Sequence, residues 1–192
     1  MAAPTTQDLV LDVAQELIQT RGYNAFSFRD VSDRVGIKTA SIHYHFPTKT
    51  DLGRALIARQ RRDVAAAFEG IDREETDPGR KLSRYASIFR DTLEVGNRMC
   101  LCGMLSADVT TLEPSIVGDL REAFGDHEAW LQKVLDGGRA AGLLEFPGSP
   151  GDEARLILSA LEGAMLLART FGEPRRFDAA ADILIARLAP RR

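Results

Sequence analysis

The sequence predicts an all-α protein of about nine helices. Apolar residues recur at steps of three and four along most of the chain, which is the spacing of amphipathic helices, and the sequence contains no strand-like alternation. Glycine, proline and capping residues separate these periodic segments. With 192 residues, of which 44% are hydrophobic, the chain is long enough for a small domain followed by a larger one.

The first helix is predicted to begin near Thr5 or Thr6 and to end at Arg21 and Gly22. Its apolar positions follow the helical spacing and comprise Leu9, Val10, Val13, Leu17 and Ile18. We expect this helix to support the segment that follows it.

Two short helices joined by a tight turn are predicted between residues 27 and 46. Ser27 and Asp30 form a capping box at the start of the first, and Gly36 supplies a left-handed residue at its end. Thr39 is expected to cap the second helix, which covers residues 40–46. Two helices separated by so short a turn are typical of a helix-turn-helix motif.

The second of these helices is unusually polar, because only Ile42 and Phe46 are spaced as core anchors. Hydroxyls and ring nitrogens on such a helix can contact base edges in the major groove, while basic residues neutralise phosphates. The alternative is a polar surface helix with a core histidine that packs in the domain. The predicted DNA-binding residues are Ser27, Arg29, Lys38, Thr39, Ser41, His43, Tyr44, His45 and Lys49.

This segment resembles the DNA-binding domain of the TetR family over about the first quarter of the chain. The matching motifs are Gly22-Tyr23, Ser27-x-x-Asp30-Val31, Val35-Gly36-Ile37, and Ser41 through Lys49 with Leu52. The chain has His43 where that family commonly has tyrosine, and Lys38 and Thr39 where small residues are frequent. These differences should alter the preferred DNA sequence. The resemblance implies a dimeric repressor whose C-terminal helices bind a small molecule.

A long helix over residues 48–70 is predicted to link two domains, 1–47 for DNA binding and 48–192 for ligand binding and dimerisation. Pro47 ends the preceding helix, and Thr48 with Asp51 caps the new one. A ligand that tilts this linking helix would change the spacing of two DNA-binding domains and release the DNA.

Further helices are predicted at about 80–97, at 99–108, within 112–142 starting after Pro114, at 152–171 and at 177–188. The segment 152–171 is apolar on nearly every side, so we expect a partner subunit to cover part of it. A homodimer through residues 118–142 and 152–171 is the resulting prediction.

A mostly apolar or aromatic effector is expected in the C-terminal helices, although plain core packing explains the same residues. The candidate lining residues are Phe89, Leu93, Cys100, Met104, Phe124, Trp130 and Met165. Cys100 has two interpretations: a buried thiol that packs as a small hydrophobe, or, as the resemblance implies for some members, a sensor of electrophiles or oxidants. Arg98 and a helix start near Met99 would favour its thiolate.

Other classes of protein find little support in the sequence. His43 and His45 are two residues apart on a helix and cannot share a metal, and Cys100 and Cys102 fail the same test as paired ligands or as a disulfide. No catalytic motif occurs, so we predict no enzyme activity, metal or cofactor. A helical dimer that serves only as an interaction module is a further alternative.

The net charge and the N-terminal sequence bear on how the protein binds DNA and where it is located. The net charge is −3, so DNA binding must arise from a local surface and not from the whole molecule. The N-terminal segment carries acidic residues through its apolar pattern, unlike a signal peptide, and the chain lacks an apolar run long enough for a bilayer. These features predict a cytoplasmic protein with reduced thiols.

Overall fold

The computed structural model describes residues 3–190, and within them it contains nine α-helices, one short 3₁₀ helix at Val109–Thr111 and no strand. The predicted all-α fold is therefore confirmed. The helices are α1 (Thr6–Arg21), α2 (Phe28–Val35), α3 (Thr39–His45), α4 (Lys49–Glu74), α5 (Pro78–Glu94), α6 (Leu101–Ala107), α7 (Pro114–Ala140), α8 (Pro150–Phe171) and α9 (Arg175–Ala186).

Most predicted helix ends are confirmed at the level of hydrogen bonds. Ser27 and Asp30 form the expected capping box, and Gly36 ends α2 with φ 78° and ψ 30°. The amide and hydroxyl of Thr48 both donate to Asp51. The predicted Thr39 cap is wrong, because Lys38 occupies the cap position without a side-chain bond and Thr39 is already helical.

Several helix bounds differ from the prediction by a few residues, and two of these differences bear on the packing. α4 continues past Gly70 to Glu74 because its buried stripe continues through Ile71, which is 4% exposed. α6 begins at Leu101, so Cys100 precedes the helix while Cys102 lies within it.

The chain forms two compact units, each with its own packing. The head unit contains the described residues up to Arg62 together with Leu101–Ala123, and the C-terminal unit contains Asp63–Cys100 and the described residues from Phe124 onward. The main chain therefore passes between them at three points. The predicted functional division at residue 47 stays a prediction, since packing units need not coincide with functional domains.

The core of the head unit is built from α1 to α4. α1 packs on α2, α3 and α6, and α2 packs on α3. Side chains with no accessible surface fill this core, namely Val10, Leu17, Ile18, Val31, Ile42, Leu52 and Leu56. Three short helices and the start of α4 thus share one core, which fixes α3 in place.

In the C-terminal unit α5, α8 and α9 pack on one another. An apolar stripe nevertheless stays uncovered on the outer faces of α8 and α9. It comprises Leu156, Leu166, Leu167 and Phe171 on α8 and Ile183 on α9, which is 71% exposed. No such large exposed apolar residue occurs on α7 in the described structure. Exposed apolar patches of this kind mark contact surfaces.

None of the helices in the described part of the chain has the length and apolar character needed to cross a bilayer.

Candidate functional site

Helix α3 presents Ser41, His43 and Tyr44 to solvent. Ile42 is fully buried and Phe46, just beyond the helix, is 3% exposed, so these two side chains anchor it to the head unit. Tyr44 is 85% exposed, and Lys38, Ser41 and His43 are exposed as well. A large aromatic side chain with a hydroxyl that contacts so little of its own protein is available to an external partner.

His43 is held in one orientation by its neighbours. Its ring lies 4.8 Å from the Phe28 ring, and its Nδ1 lies 3.1 Å from the carbonyl oxygen of Pro47. A carbonyl can only accept a hydrogen bond, so we assign the ring hydrogen to Nδ1. Nε2 is then the ring nitrogen that remains for an external partner.

Lys49 is engaged within the head unit. Its Nζ donates to the carbonyl oxygen of Phe26 at 2.6 Å and lies 4.6 Å and 4.2 Å from the ring centroids of Tyr23 and Phe26. Burial lowers the pKa of Lys49. A phosphate contact by this residue would have to break the bond to Phe26, so its main role here is to hold the start of α4 against the loop between α1 and α2.

The remaining predicted DNA-binding residues differ in availability. Arg29 is exposed, whereas Thr39 and His45 are half-buried, and the His45 ring lies 5.2 Å from that of Tyr44. The Ser27 hydroxyl donates to Asp30 at 2.6 Å, so this side chain is occupied by the capping box. Bonds from the Ser27 side chain and backbone lower the pKa of Asp30.

Asp108 is a functional candidate that the sequence analysis missed. Its Oδ2 accepts from the backbone N–H groups of Tyr23 at 2.9 Å and Asn24 at 3.4 Å, and the Asn24 amide donates to Thr111 at 2.8 Å. We call these four residues the Asp108 bracket. It joins the end of α6 to the loop before α2. Nothing in the local pattern indicates it, because the partners are more than eighty positions apart.

The predicted effector residues are divided between the two units. Phe89, Leu93, Trp130 and Met165 are buried in the C-terminal unit, in which Phe124 and Cys100 are half-buried. Met104 belongs to the head unit, where its Cε would lie 3.8 Å from a Cβ at Gly22. Met104 therefore packs against the turn after α1 and supports the head unit's core.

Five aromatic rings pack together inside the C-terminal unit. Phe68 stacks on Trp130 with centroids 4.6 Å apart, Tyr85 stacks on Trp130 at 5.6 Å, and Phe89 and His127 adjoin Tyr85 at 5.5 Å and 5.7 Å. Such edge and stacked contacts stabilise a core beyond the area that they bury. The sequence predicted Phe89 and Trp130 as core or effector-lining positions but gave no reason to place His127 beside them.

A polar pair lies within these rings. The Tyr85 hydroxyl is 2.9 Å from His127 Nδ1. Burial lowers the pKa of His127 to about 4 and raises that of Tyr85 well above its usual range. At neutral pH the phenol therefore keeps its proton and the imidazole is neutral, and the tautomer of the imidazole decides which of the two groups donates the hydrogen bond.

Glu162 on α8 is a second polar group in this region. Its carboxylate accepts a hydrogen bond from Cys100, and burial raises its pKa. Its Oε1 is buried and has no hydrogen-bond partner among the described residues. An unpartnered buried carboxylate oxygen is unfavourable and calls for an explanation. We refer to Tyr85, Cys100, His127 and Glu162 as the polar cluster.

One surface pocket of about 260 Å³ also lies in the C-terminal unit. Its lining includes Asp72, Lys81, Lys133 and Gly138, and none of the predicted effector residues contributes to it. Asp72 there accepts from Lys81 at 2.5 Å and from the Trp130 indole at 3.2 Å. The charges that line this pocket are thus paired with each other.

Comparison with known proteins identifies relatives of the whole chain. Residues 10–56 match the family described as bacterial regulatory proteins, tetR family. A solved TetR-family transcriptional regulator from Agrobacterium tumefaciens is 32% identical, with a TM-score of 0.92 over 96% of this chain and 97% of that one. A TetR regulator from Legionella pneumophila is 34% identical, with a TM-score of 0.90 over 98% and 100%.

Two further relatives are named for opposite regulatory actions, one as a repressor and one as an activator. The transcriptional repressor NemR of Escherichia coli is 23% identical over 173 residues, 85% of this chain and 84% of that one. The transcriptional activator FasR of Mycolicibacterium smegmatis is 27% identical over 85 residues, 44% of this chain and only 39% of its own length. All four relatives are named as transcriptional regulators, and none is named as an enzyme.

Proposed function

Since the chain belongs to the TetR family and is a DNA-binding transcriptional regulator, we propose that it is a repressor that binds a palindromic operator as a homodimer and is released by a small effector. The prediction of a DNA-binding regulator that is not an enzyme is confirmed by the named relatives. A cytoplasmic location follows from this proposal, because the operator lies there.

The polar exposed face of α3 is the observation that carries the DNA-binding mechanism. Ile42 and Phe46 hold the helix rigidly, while Lys38, Ser41, His43 and Tyr44 extend from it into solvent. In this proposal Lys38 and Thr39, at the start of the helix, set base preference. Tyr44 and Arg29 contact phosphates, which fixes the orientation of the helix on the duplex.

The homodimer is proposed to form through the apolar stripe on α8 and α9. This revises the sequence-based choice of residues 118–142, because the exposed face of α7 is polar, with Arg121, Glu122 and Asp126 among its exposed residues. A symmetric pair of chains would bring the two stripes together and remove them from water. It would also supply two copies of α3 for two half-sites about one helical turn or more apart.

Selection of bound DNA fragments followed by sequencing tests this function directly. We expect a palindromic consensus, and fluorescence anisotropy with that duplex should give tight, salt-dependent binding. The His43→Ala/Tyr44→Ala double variant should lose about 100-fold or more in affinity. Gln132→Ala, an exposed change in the C-terminal unit, is the matched control. Normal binding by the double variant would exclude α3 as the contact helix.

Effector release is proposed to act through the chain segments that connect the two units. α4 was the predicted lever, and the passage from Cys100 to Leu101 adds a second route, because α6 ends at the Asp108 bracket. A difference in effector affinity between the bound and released arrangements on the order of 1–3 kcal/mol suffices. An effector should therefore weaken operator binding by about fivefold to 150-fold.

A thiol sensor is the second candidate function, and the exposure of Cys100 favours it. Cys100 is half-buried whereas Cys102 is 4% exposed. A maleimide would add to the thiolate, forming a sulfur–carbon bond while the neighbouring ring carbon takes a proton. The test is operator binding after treatment of wild type, Cys100→Ser and Cys102→Ser. Unchanged binding by treated wild type would leave both cysteines as core residues.

A further inference from the structure

The polar cluster combines an unsatisfied acceptor with aromatic rings. Glu162 uses one side of its carboxylate for the Cys100 thiol, and Oε1 has no partner in the described chain. Folding removes this oxygen from water without replacing the lost hydrogen bond, which costs free energy. Retaining the group is understandable if something outside the chain supplies the missing donor.

The surrounding charge favours a positively charged donor. The groups that raise the pKa of Tyr85 by charge are Cys100, Glu162 and Glu128, all of them able to carry negative charge. His127 is neutral above about pH 4 because of its burial. No basic side chain in the described residues is among the causes that shift Tyr85 or Glu162. An external cation would stabilise the buried Glu162 carboxylate, because none of these causes is a positively charged group.

The neighbouring rings suit the apolar part of such a ligand. The ring centroids of Tyr85 and Phe89 are 5.5 Å apart, and those of Tyr85 and Trp130 are 5.6 Å apart. Aromatic faces attract cations in addition to apolar groups. The cluster is not sealed, because Cys100, His127 and Glu162 each keep some accessible surface.

We propose that the polar cluster binds a lipophilic amine, whose ammonium group donates to Glu162 Oε1 while its apolar body packs against Phe89 and the adjoining rings. This inference rests on the proposed effector-binding function and names its ligand class. It changes the sequence-based expectation of a mostly apolar effector in one respect, since the ligand must carry a positive charge.

Three probes with one carbon skeleton test the charge requirement: 2-naphthylmethylamine, 2-naphthylmethanol and 2-naphthoate. Binding is measured on the DNA-free protein by thermal shift and calorimetry, so the result does not depend on the operator. We expect the amine to bind at least about tenfold more tightly than the alcohol, and the carboxylate to bind least, because one charge-assisted bond distinguishes them.

Glu162→Gln keeps the shape of the side chain and removes its charge, so it should lower amine affinity by about tenfold or more and leave alcohol affinity nearly unchanged. Glu94→Gln, an exposed carboxylate in the same unit, should change neither value. Equal affinities for the three probes would overturn the inference. So would a Glu162→Gln variant that binds the amine normally, or one whose light-scattering mass falls to that of a monomer, since Oε1 would then serve the subunit contact. Operator binding that persists in any of these cases would leave the proposed DNA-binding function intact.

Discussion

The head unit and the C-terminal unit place their polar groups in opposite ways. In the head unit the groups proposed for function, such as Tyr44 and Lys38, are exposed on α3, and the buried groups serve the fold. In the C-terminal unit the candidate groups, Tyr85 and Glu162, are turned inward, and the outer faces of α8 and α9 are apolar. DNA is a large partner that a protruding surface can contact, whereas a small ligand is bound best when it is surrounded.

The largest expected effect comes from placing a charge on the apolar stripe. This change tests whether one head unit binds the operator tightly without a second copy of the chain. Leu167 is 58% exposed on α8, so Leu167→Arg should not disturb the core. If the stripe is the subunit contact, the variant should be monomeric by light scattering. Operator affinity should fall by about 100-fold or more, because in a dimer the binding of one head unit raises the effective concentration of the other at its half-site. Leu143→Arg, at a leucine in the same unit that is 49% exposed, is the control, and a dimeric Leu167→Arg protein would exclude this interface.

Acidification should weaken the C-terminal unit through His127. The pKa of His127 is about 4 in the folded protein, below its ordinary value of 6.5, so the unfolded chain binds more protons between these values. The contribution to stability is present above pH 6.5 and is lost as the pH falls towards 4. At pH 5 the loss should be on the order of 2 kcal/mol.

The measurement is urea unfolding at pH 7 and pH 5. His127→Asn, which keeps a polar partner for Tyr85, should show about 2 kcal/mol less pH dependence than wild type. His43→Asn in the head unit is the comparison variant. A His127→Asn protein with the wild-type pH profile would show that His127 does not titrate as a buried group.

Lys49→Ala distinguishes a scaffold role from a DNA contact. Loss of the bond to Phe26 and of the ring contacts should lower the free energy of unfolding by about 1–2 kcal/mol. The salt dependence of operator binding should stay as in wild type, whereas Arg29→Ala should reduce its slope by about one. A reduced slope for Lys49→Ala would instead support the sequence-based assignment of a phosphate contact.

The smallest expected effect concerns the Asp108 bracket. Asp108→Ala removes the acceptor for the Tyr23 and Asn24 amides and should cost about 1 kcal/mol of stability. If the bracket also transmits the effector signal, the ratio of operator affinities with and without effector should fall towards one. Asn24→Ala, which removes the bond to Thr111 and keeps the backbone contacts, provides a partial control. An unchanged ratio in Asp108→Ala would assign transmission to α4.

Local determinants in the sequence account for most of the helices. The Ser27–Asp30 and Thr48–Asp51 caps are three residues apart, and the helices follow from apolar spacing within single segments. The exposed face of α3 was predicted for the same reason. The Thr39 cap failed because an adjacent residue took the cap position without a side-chain bond.

The groups that the sequence analysis missed are brought together over long distances. Asp108 is 85 residues from Tyr23, and the Tyr85–His127 pair is separated by 42 positions. Glu162 was overlooked for another reason: it lies alone among apolar residues in the second half of a helix that was interpreted as apolar on nearly every side. An acidic residue at such a position was itself the available signal, since a buried charge needs a partner.

The bond between Lys49 and Phe26 bears on how this regulator could acquire a new target. Two different sets of residues fix α3 and α4 and contact DNA in the proposed function. The first set includes Ile42, Lys49 and the two capping pairs, and the second set is exposed. Substitutions at Lys38, Ser41 or Tyr44 can therefore accumulate with little loss of stability, since exposed positions tolerate change. The head unit is for this reason a suitable scaffold for selecting variants with altered operator preference, and libraries restricted to the exposed positions should retain mostly folded members.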